Sequence, residues 1–146
     1  MPERRHWMAI LARASREELE AAWSSLESPP AYQWLRRPET GLAMVRARAG
    51  GGGAKFNLGE ASITRCALRT ADAKTGIAYI LGRDRRRAEL AALFDALLQD
   101  ETTRPRIERD VVFPLAARQA AASTNASRKA AATRVDFYTL VRGENP

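Results

Sequence analysis

The sequence holds one cysteine, Cys66, and one histidine, His6, among 146 residues. A lone thiol excludes an internal disulfide, and it excludes a cysteine-ligated cluster held by this chain alone. One histidine and one cysteine also fall short of the usual nitrogen and sulfur ligand set for zinc. No apolar run approaches the ~20 residues that cross a bilayer. The N-terminal stretch MPERRHWMAILARASREELE is only briefly apolar and runs into charge without an export-type cleavage context. The cytoplasm is the expected compartment, with no membrane association. Paired carboxylates set up for acid–base work are missing as well, because Asp and Glu fall on helix faces and in turns. Cys66 shares a strand face with Leu68 and reads as a small buried hydrophobe. His6 reads as a surface or capping residue ahead of the first helix. No catalytic constellation emerges.

What is present is a core and a surplus of positive charge. Apolar residues make up 45%, and a chain of this length buries roughly 70% of its unfolded surface as one domain, here residues 1–146. The net charge is +7, and 21 of the 24 basic residues are arginine. Such a balance suits an acidic partner, a phosphorylated ligand or a nucleic acid, although a sequence-wide compositional bias gives the same number.

Periodicity orders the chain. Trp7, Ile10, Leu11 and Ala14 share one helical face, and Leu19, Ala22, Trp23 and Leu26 share another. Ser15 with Glu18 forms a capping box between them, so two short helices or one kinked helix precede Pro29 and Pro30. AYQWLRRPETG reads as an irregular aromatic and basic connection. Residues 42–49, 61–70 and 76–82 alternate as strands, and residues 133–141 as a fourth. Asp84 caps an amphipathic helix carrying Leu90, Leu93, Phe94, Leu97 and Leu98 on its inner face. Pro105 opens another helix, Pro114 is expected to break or kink it, and residues 115–132 read as helical. Helices, then strands, then helices predict an α+β domain. Its antiparallel sheet of three to four strands packs with N-terminal, central and C-terminal helices.

The stretch GGGGAKFNLGE tests the idea of a nucleotide site. A P-loop needs glycine before its lysine, Ser or Thr after it, and a helix next. Lys55 instead lies between Ala54 and Phe56 and leads into a strand. The stretch therefore predicts a connection of roughly ten residues, able to close over a ligand or partner but not to hold a nucleotide alone.

Two other stretches suggest contacts. YQWLRRP offers Trp34, Arg36 and Arg37, residue types that dominate interfaces, although Trp34 fits a core role equally well. In GRDRRRAE, Arg85, Arg86 and Arg87 fill the first turn of the helix capped by Asp84, next to Arg83. Cations there oppose the helix dipole at ~0.3–1 kcal/mol each when exposed, so an anionic group is expected to meet them. Lys55, Trp34, Arg36, Arg37, Arg83, Arg85, Arg86 and Arg87 are the interface or anion-binding candidates.

Taken in order, YQWLRRPETGL, GGGGAKFNLGE, TRC, GIAYILGRD, AELAALFDALLQD and RVDFYTLVRGE resemble the PhnG family, from about Tyr32 to Glu144. Its members are subunits of the bacterial carbon–phosphorus lyase core complex, α-D-ribose 1-methylphosphonate 5-triphosphate synthase. The resemblance implies a part in phosphonate use, where a phosphonate displaces adenine from C1′ of MgATP. It implies assembly with subunits H, I and J, with K and L associated, and contact chiefly with subunit I. Subunit I carries the nucleosidase chemistry and subunit J the iron–sulfur chemistry. The G subunit is then a structural partner, MgATP is substrate of the complex, and this chain binds no cofactor alone. No catalytic residues come with the resemblance. Charge by itself favours a small basic nucleic-acid-binding protein, which would need exposed aromatics interleaved with basic residues on one face.

Overall fold

The computed structural model describes residues 2–133. Two helices open the chain, α1 (Pro2–Arg13) and α2 (Arg16–Ser24). Ser15 caps α2 in the expected box: its Oγ accepts from the Glu18 amide at 3.1 Å, and Glu18 Oε2 accepts from the Ser15 amide at 2.9 Å. Three strands follow, β1 (Tyr32–Arg48), β2 (Lys55–Thr70) and β3 (Thr75–Leu81), in antiparallel order β1-β2-β3. Then come α3 (Arg85–Leu98), the short α4 (Arg104–Ile107), a π turn (Glu108–Val112) and α5 (Phe113–Ala132). The α+β class and the antiparallel sheet stand as expected, with three strands among the described residues. The fourth expected strand, 133–141, lies outside them apart from Thr133, which caps the end of α5.

The helix α3 organises the core. Its buried residues, Ala88, Leu90–Ala96 and Leu98, go almost all the way round the axis, the pattern of a helix packed on more than one side. One side lies on Cys66, Leu68, Ala78 and Ile80 of the sheet, and α1, α2 and α4 cover others. Phe94, Leu68, Leu90, Leu93 and Leu98 are fully buried, each stabilising the fold by roughly 1.5–3 kcal/mol. Trp23 of α2 meets Phe94 edge to face, with ring centroids 6.0 Å apart. Gly76 lets α3 approach the sheet, since a Cβ there would lie 1.9 Å from the Ala92 carbonyl oxygen.

Three expectations need correction. The stretch AYQWLRRPETG is not irregular: from Tyr32 it is the first half of β1. Pro38 hid this, yet β1 is an edge strand, and its pairing shifts register between Arg36 and Glu39, where a missing N–H is tolerated. The glycine connection is shorter than expected, covering only residues 49–54, because Lys55 to Glu60 already pair as part of β2. Pro114 does interrupt the α-helix, as expected: the helix opened at Arg104 gives way to a π turn at Glu108–Val112 just ahead of the proline, and α5 resumes from Phe113 without the chain leaving helical geometry. His6 stands inside α1, exposed, rather than ahead of it.

Candidate assembly surface

The sheet is longer than the body it covers. Pairing of β2 with β3 ends at Ile63↔Leu81, while β1 and β2 continue together from Leu42↔Ser62 to Arg48↔Lys55. The continuation is a two-stranded arm closed by a turn at Ala49–Gly51. Nine large hydrophobics stand exposed among the described residues, and eight belong to the three strands, with only Phe113 on a helix. Five lie on the arm: Leu42, Met44, Val45, Phe56 and Leu58. At its base a depression of about 440 Å³ is lined by Glu39, Leu42, Ile63, Arg65 and Tyr79 among others.

The candidate residues fall into separate groups. At the start of β1, Trp34 pairs across from Leu68 and is half-buried against the core, edge to face with Tyr32 at 5.5 Å. The Tyr32 hydroxyl donates to Glu89 of α3. Burial, then that bond and the Glu89 charge, push the tyrosine pKa up to about 12. Arg36 and Arg37 are exposed. Arg36 Nη1 and Arg65 Nε both donate to Glu39 Oε1 at 2.7 Å, and these two bonds, Arg36's first, hold the Glu39 carboxyl below its usual range. Lys55 stands far along the strand at the arm tip, opposite Arg48.

The helix start divides its arginines between the chain's own groups and solvent. Asp84 Oδ1 accepts from the Arg87 amide at 3.0 Å, so the expected N-cap is present. Arg86 already has its anions: Glu20 of α2, at 2.7 and 3.2 Å, and Glu89 at 3.2 Å. The Glu20 bond is the chief reason that the guanidinium pKa is raised. Arg87 Nη2 donates to the Ala12 carbonyl at 2.9 Å, tying α3 to α1. For Arg86, then, the negative group expected from sequence lies within the chain itself. Arg85 remains exposed, and Arg83 Nε donates to Ser62 Oγ at 3.3 Å. That contact sets the helix start beside the base of the arm.

Cys66 is buried, and its Sγ donates to the Ala88 carbonyl at 3.2 Å. Burial, with a smaller contribution from the Glu89 charge, pushes the thiol up to about 12, the opposite of an activated nucleophile. No cluster of three His, Cys, Asp or Glu residues able to hold a metal occurs among the described residues, and no described helix is long and apolar enough to cross a membrane. Sequence reasoning found the β1 side of the arm, residues 42–49, but missed its partner, Lys55 to Glu60. The signal was present in KFNLGE, where Phe56 and Leu58 alternate with polar residues, but the four preceding glycines made the segment read as loop.

A protein family described as "Phosphonate metabolism protein PhnG" matches residues 2–143. A relative from Rhizobium meliloti (strain 1021) bears the name alpha-D-ribose 1-methylphosphonate 5-triphosphate synthase subunit PhnG. It is 46% identical over 143 residues, which cover 98% of this chain and 91% of the relative. Neither match points to a nucleic-acid-binding module. With nearly its whole length matched in both comparisons, the chain belongs to the PhnG family of phosphonate metabolism proteins.

Proposed function

We propose that this chain is a non-catalytic, assembly-forming subunit of an α-D-ribose 1-methylphosphonate 5-triphosphate synthase, acting in organic phosphonate catabolism. The complex displaces adenine from MgATP with a phosphonate, and other subunits carry out the chemistry. The reading makes subunit I the chief partner, followed by H and J with K and L, in the cytoplasm. MgATP belongs to the complex as substrate, and this chain alone holds no cofactor. Trp34, Arg36, Arg37, Lys55, Arg83 and Arg85 then serve as contacts rather than as chemical groups.

The observation that carries this reading is the concentration of exposed apolar side chains on the sheet. Eight of the nine large exposed hydrophobics lie on β1, β2 and β3. Single surface hydrophobics are ordinary, but five on one short ribbon mark an element that another protein covers. The near-full-length identity to a named subunit supports the same role. Coexpression with tagged subunit I tests it. The chain is expected to elute with subunit I as a stable complex and to self-associate when expressed alone. Elution as a well-behaved monomer that ignores subunit I would contradict the reading.

A further inference from the structure

We infer that the β1–β2 arm, residues 41–48 and 55–62, is a docking element that inserts into an apolar groove edged with carboxylates on another subunit of the complex. This rests on the subunit role proposed above and says which part of the chain serves it and what chemistry receives it.

The arm has little of its own to hold it. Beyond Ile63↔Leu81 it pairs with no third strand among the described residues, and a two-stranded ribbon is marginal in water by itself. Leu42 and Leu58 are each 66% exposed and Met44 60%, an apolar load out of keeping with a solvated hairpin. Arg48 stands directly across from Lys55, a like-charge pair that destabilises the ribbon further. A register shift between Val45 and Arg46, opposite Gly59 and Asn57, interrupts the ladder, and such bulges bend a ribbon locally and raise its twist.

Charge and backbone together select the occupant. Between residues 41 and 62 the sequence has three cations, Arg46, Arg48 and Lys55, and a single acid, Glu60. None of the three cations forms an ion pair with another described residue, and all three are exposed. A partner with carboxylates around an apolar groove matches both the tip and the flanks of the arm. Along the arm the outer edge of β1 and the edge of β2 past Leu81 present main-chain N–H and C=O groups. A protein groove can pair these groups, whereas hydrocarbon cannot. Nucleic acid fits less well, because Phe56 is the one aromatic residue on the arm available for stacking on bases.

The test is coexpression of the full chain with the remaining subunits, one of them tagged. Three forms are compared: wild type, Leu42→Ser/Met44→Ser/Leu58→Ser, and Arg46→Glu/Arg48→Glu/Lys55→Glu. All six positions are exposed, so thermal midpoints of the full-length variants should stay within about 5 °C of wild type. If a triple variant unfolds, Met44→Ser and Arg48→Glu carry the same comparison singly. The apolar variant is expected to reduce recovery in the complex by about tenfold or more, as loss of a buried anchor does. The charge variant should reduce recovery by about tenfold when the complex is purified at low salt, and raising the salt should lower wild-type recovery in the same direction.

Recovery of both variants at the wild-type level overturns the inference and leaves the subunit role standing. A wild-type chain that fails to copurify removes that role and the inference with it. Loss with the apolar variant but not with the charge variant overturns the carboxylate edge. Three further results name another occupant and also overturn it: wild-type dimers dissolved by the same substitutions, binding of the arm to anionic phosphatidylglycerol vesicles, or amide protection of 41–48 in the isolated chain that vanishes when residues 134–146 are deleted.

Discussion

Trp7 Nε1 of α1 donates a 2.8 Å hydrogen bond to Oδ1 of Asp95 in α3, joining residues 88 positions apart. Asp95 is fully buried, and its carboxylate is the acceptor for a ring of donors. Arg4 reaches Oδ2 at 2.8 Å and Oδ1 at 3.2 Å, and the Ile77 amide reaches Oδ2 at 3.0 Å. The bond to Asp95 is the main reason that the Arg4 pKa is raised. One side chain thus fixes the N-terminal helix, the central helix and β3 relative to one another.

Removal of that acceptor leaves buried donors without a partner. Asp95→Ala is expected to cost ~3–5 kcal/mol, because the buried Trp7 indole and the Ile77 amide lose their acceptor and Arg4, one-third exposed, loses its partner. Asp95→Asn keeps the shape but gives up one acceptor and the charge, and should cost ~1–3 kcal/mol. Denaturant midpoints of the two variants check the order. Equal, small losses would mean that the ring of donors is satisfied some other way.

Gly76→Ala tests the close packing of α3 on β3. The added Cβ would collide with main chain at Ala92 rather than with a movable side chain, so the helix itself must shift. A loss of ~1–3 kcal/mol is expected, in line with overpacked cores. Urea unfolding measures it, and an unchanged midpoint would place the helix farther from the sheet.

How far the sequence disclosed this arrangement depended on the kind of signal. Helix α3 was readable from Asp84 to Leu98, since capping and apolar spacing are local properties. So was the pairing of β2 with β3, where a short turn joins two alternating runs. The β1 side of the arm was readable at residues 42–49, but its β2 side was not, because the run of glycines is a breaker locally; Pro38 hid the start of β1 in the same way, and only the partner strand shows that a short turn and an edge position tolerate them. The roles of Arg86 and Arg87 were hidden for a related reason. Glu20 and the Ala12 carbonyl come from the first two helices, and long-range pairing leaves no periodic trace. Asp95 looked like one polar residue on a helix face, since its donors come from α1 and β3.

Stability should fall in alkaline solution through two groups. The Cys66 thiol rises from 9.0 to about 12 and the Tyr32 hydroxyl from 10.0 to about 12 in the folded chain. Above those ordinary values the unfolded chain has released its protons while the folded chain still holds them. Their contribution is complete below about pH 9 and is lost progressively as pH climbs toward 12. Thermal midpoints between pH 8 and 11 should decline, and the decline should be shallower in Cys66→Ala. A slope identical to wild type would remove the thiol from this account.

Trp34 is expected to contribute to the fold as well as to any contact. It packs partly buried on the core beside Tyr32, so Trp34→Ala should lower the stability of the free chain by about 2 kcal/mol, below the 3–5 kcal/mol of a fully buried Trp. Equilibrium unfolding of the isolated chain gives the figure. A loss below about 0.5 kcal/mol, the level of an ordinary surface substitution, would make it a contact residue alone.

Reconstitution distinguishes a subunit that the reaction requires from one that performs it. Adenine released from MgATP in the presence of a phosphonate is measured with the other subunits alone, with this chain alone, and with both together. Release should need this chain in the mixture, and the chain by itself should release none. Equal release without the chain, or release by the chain alone, would contradict the non-catalytic subunit role.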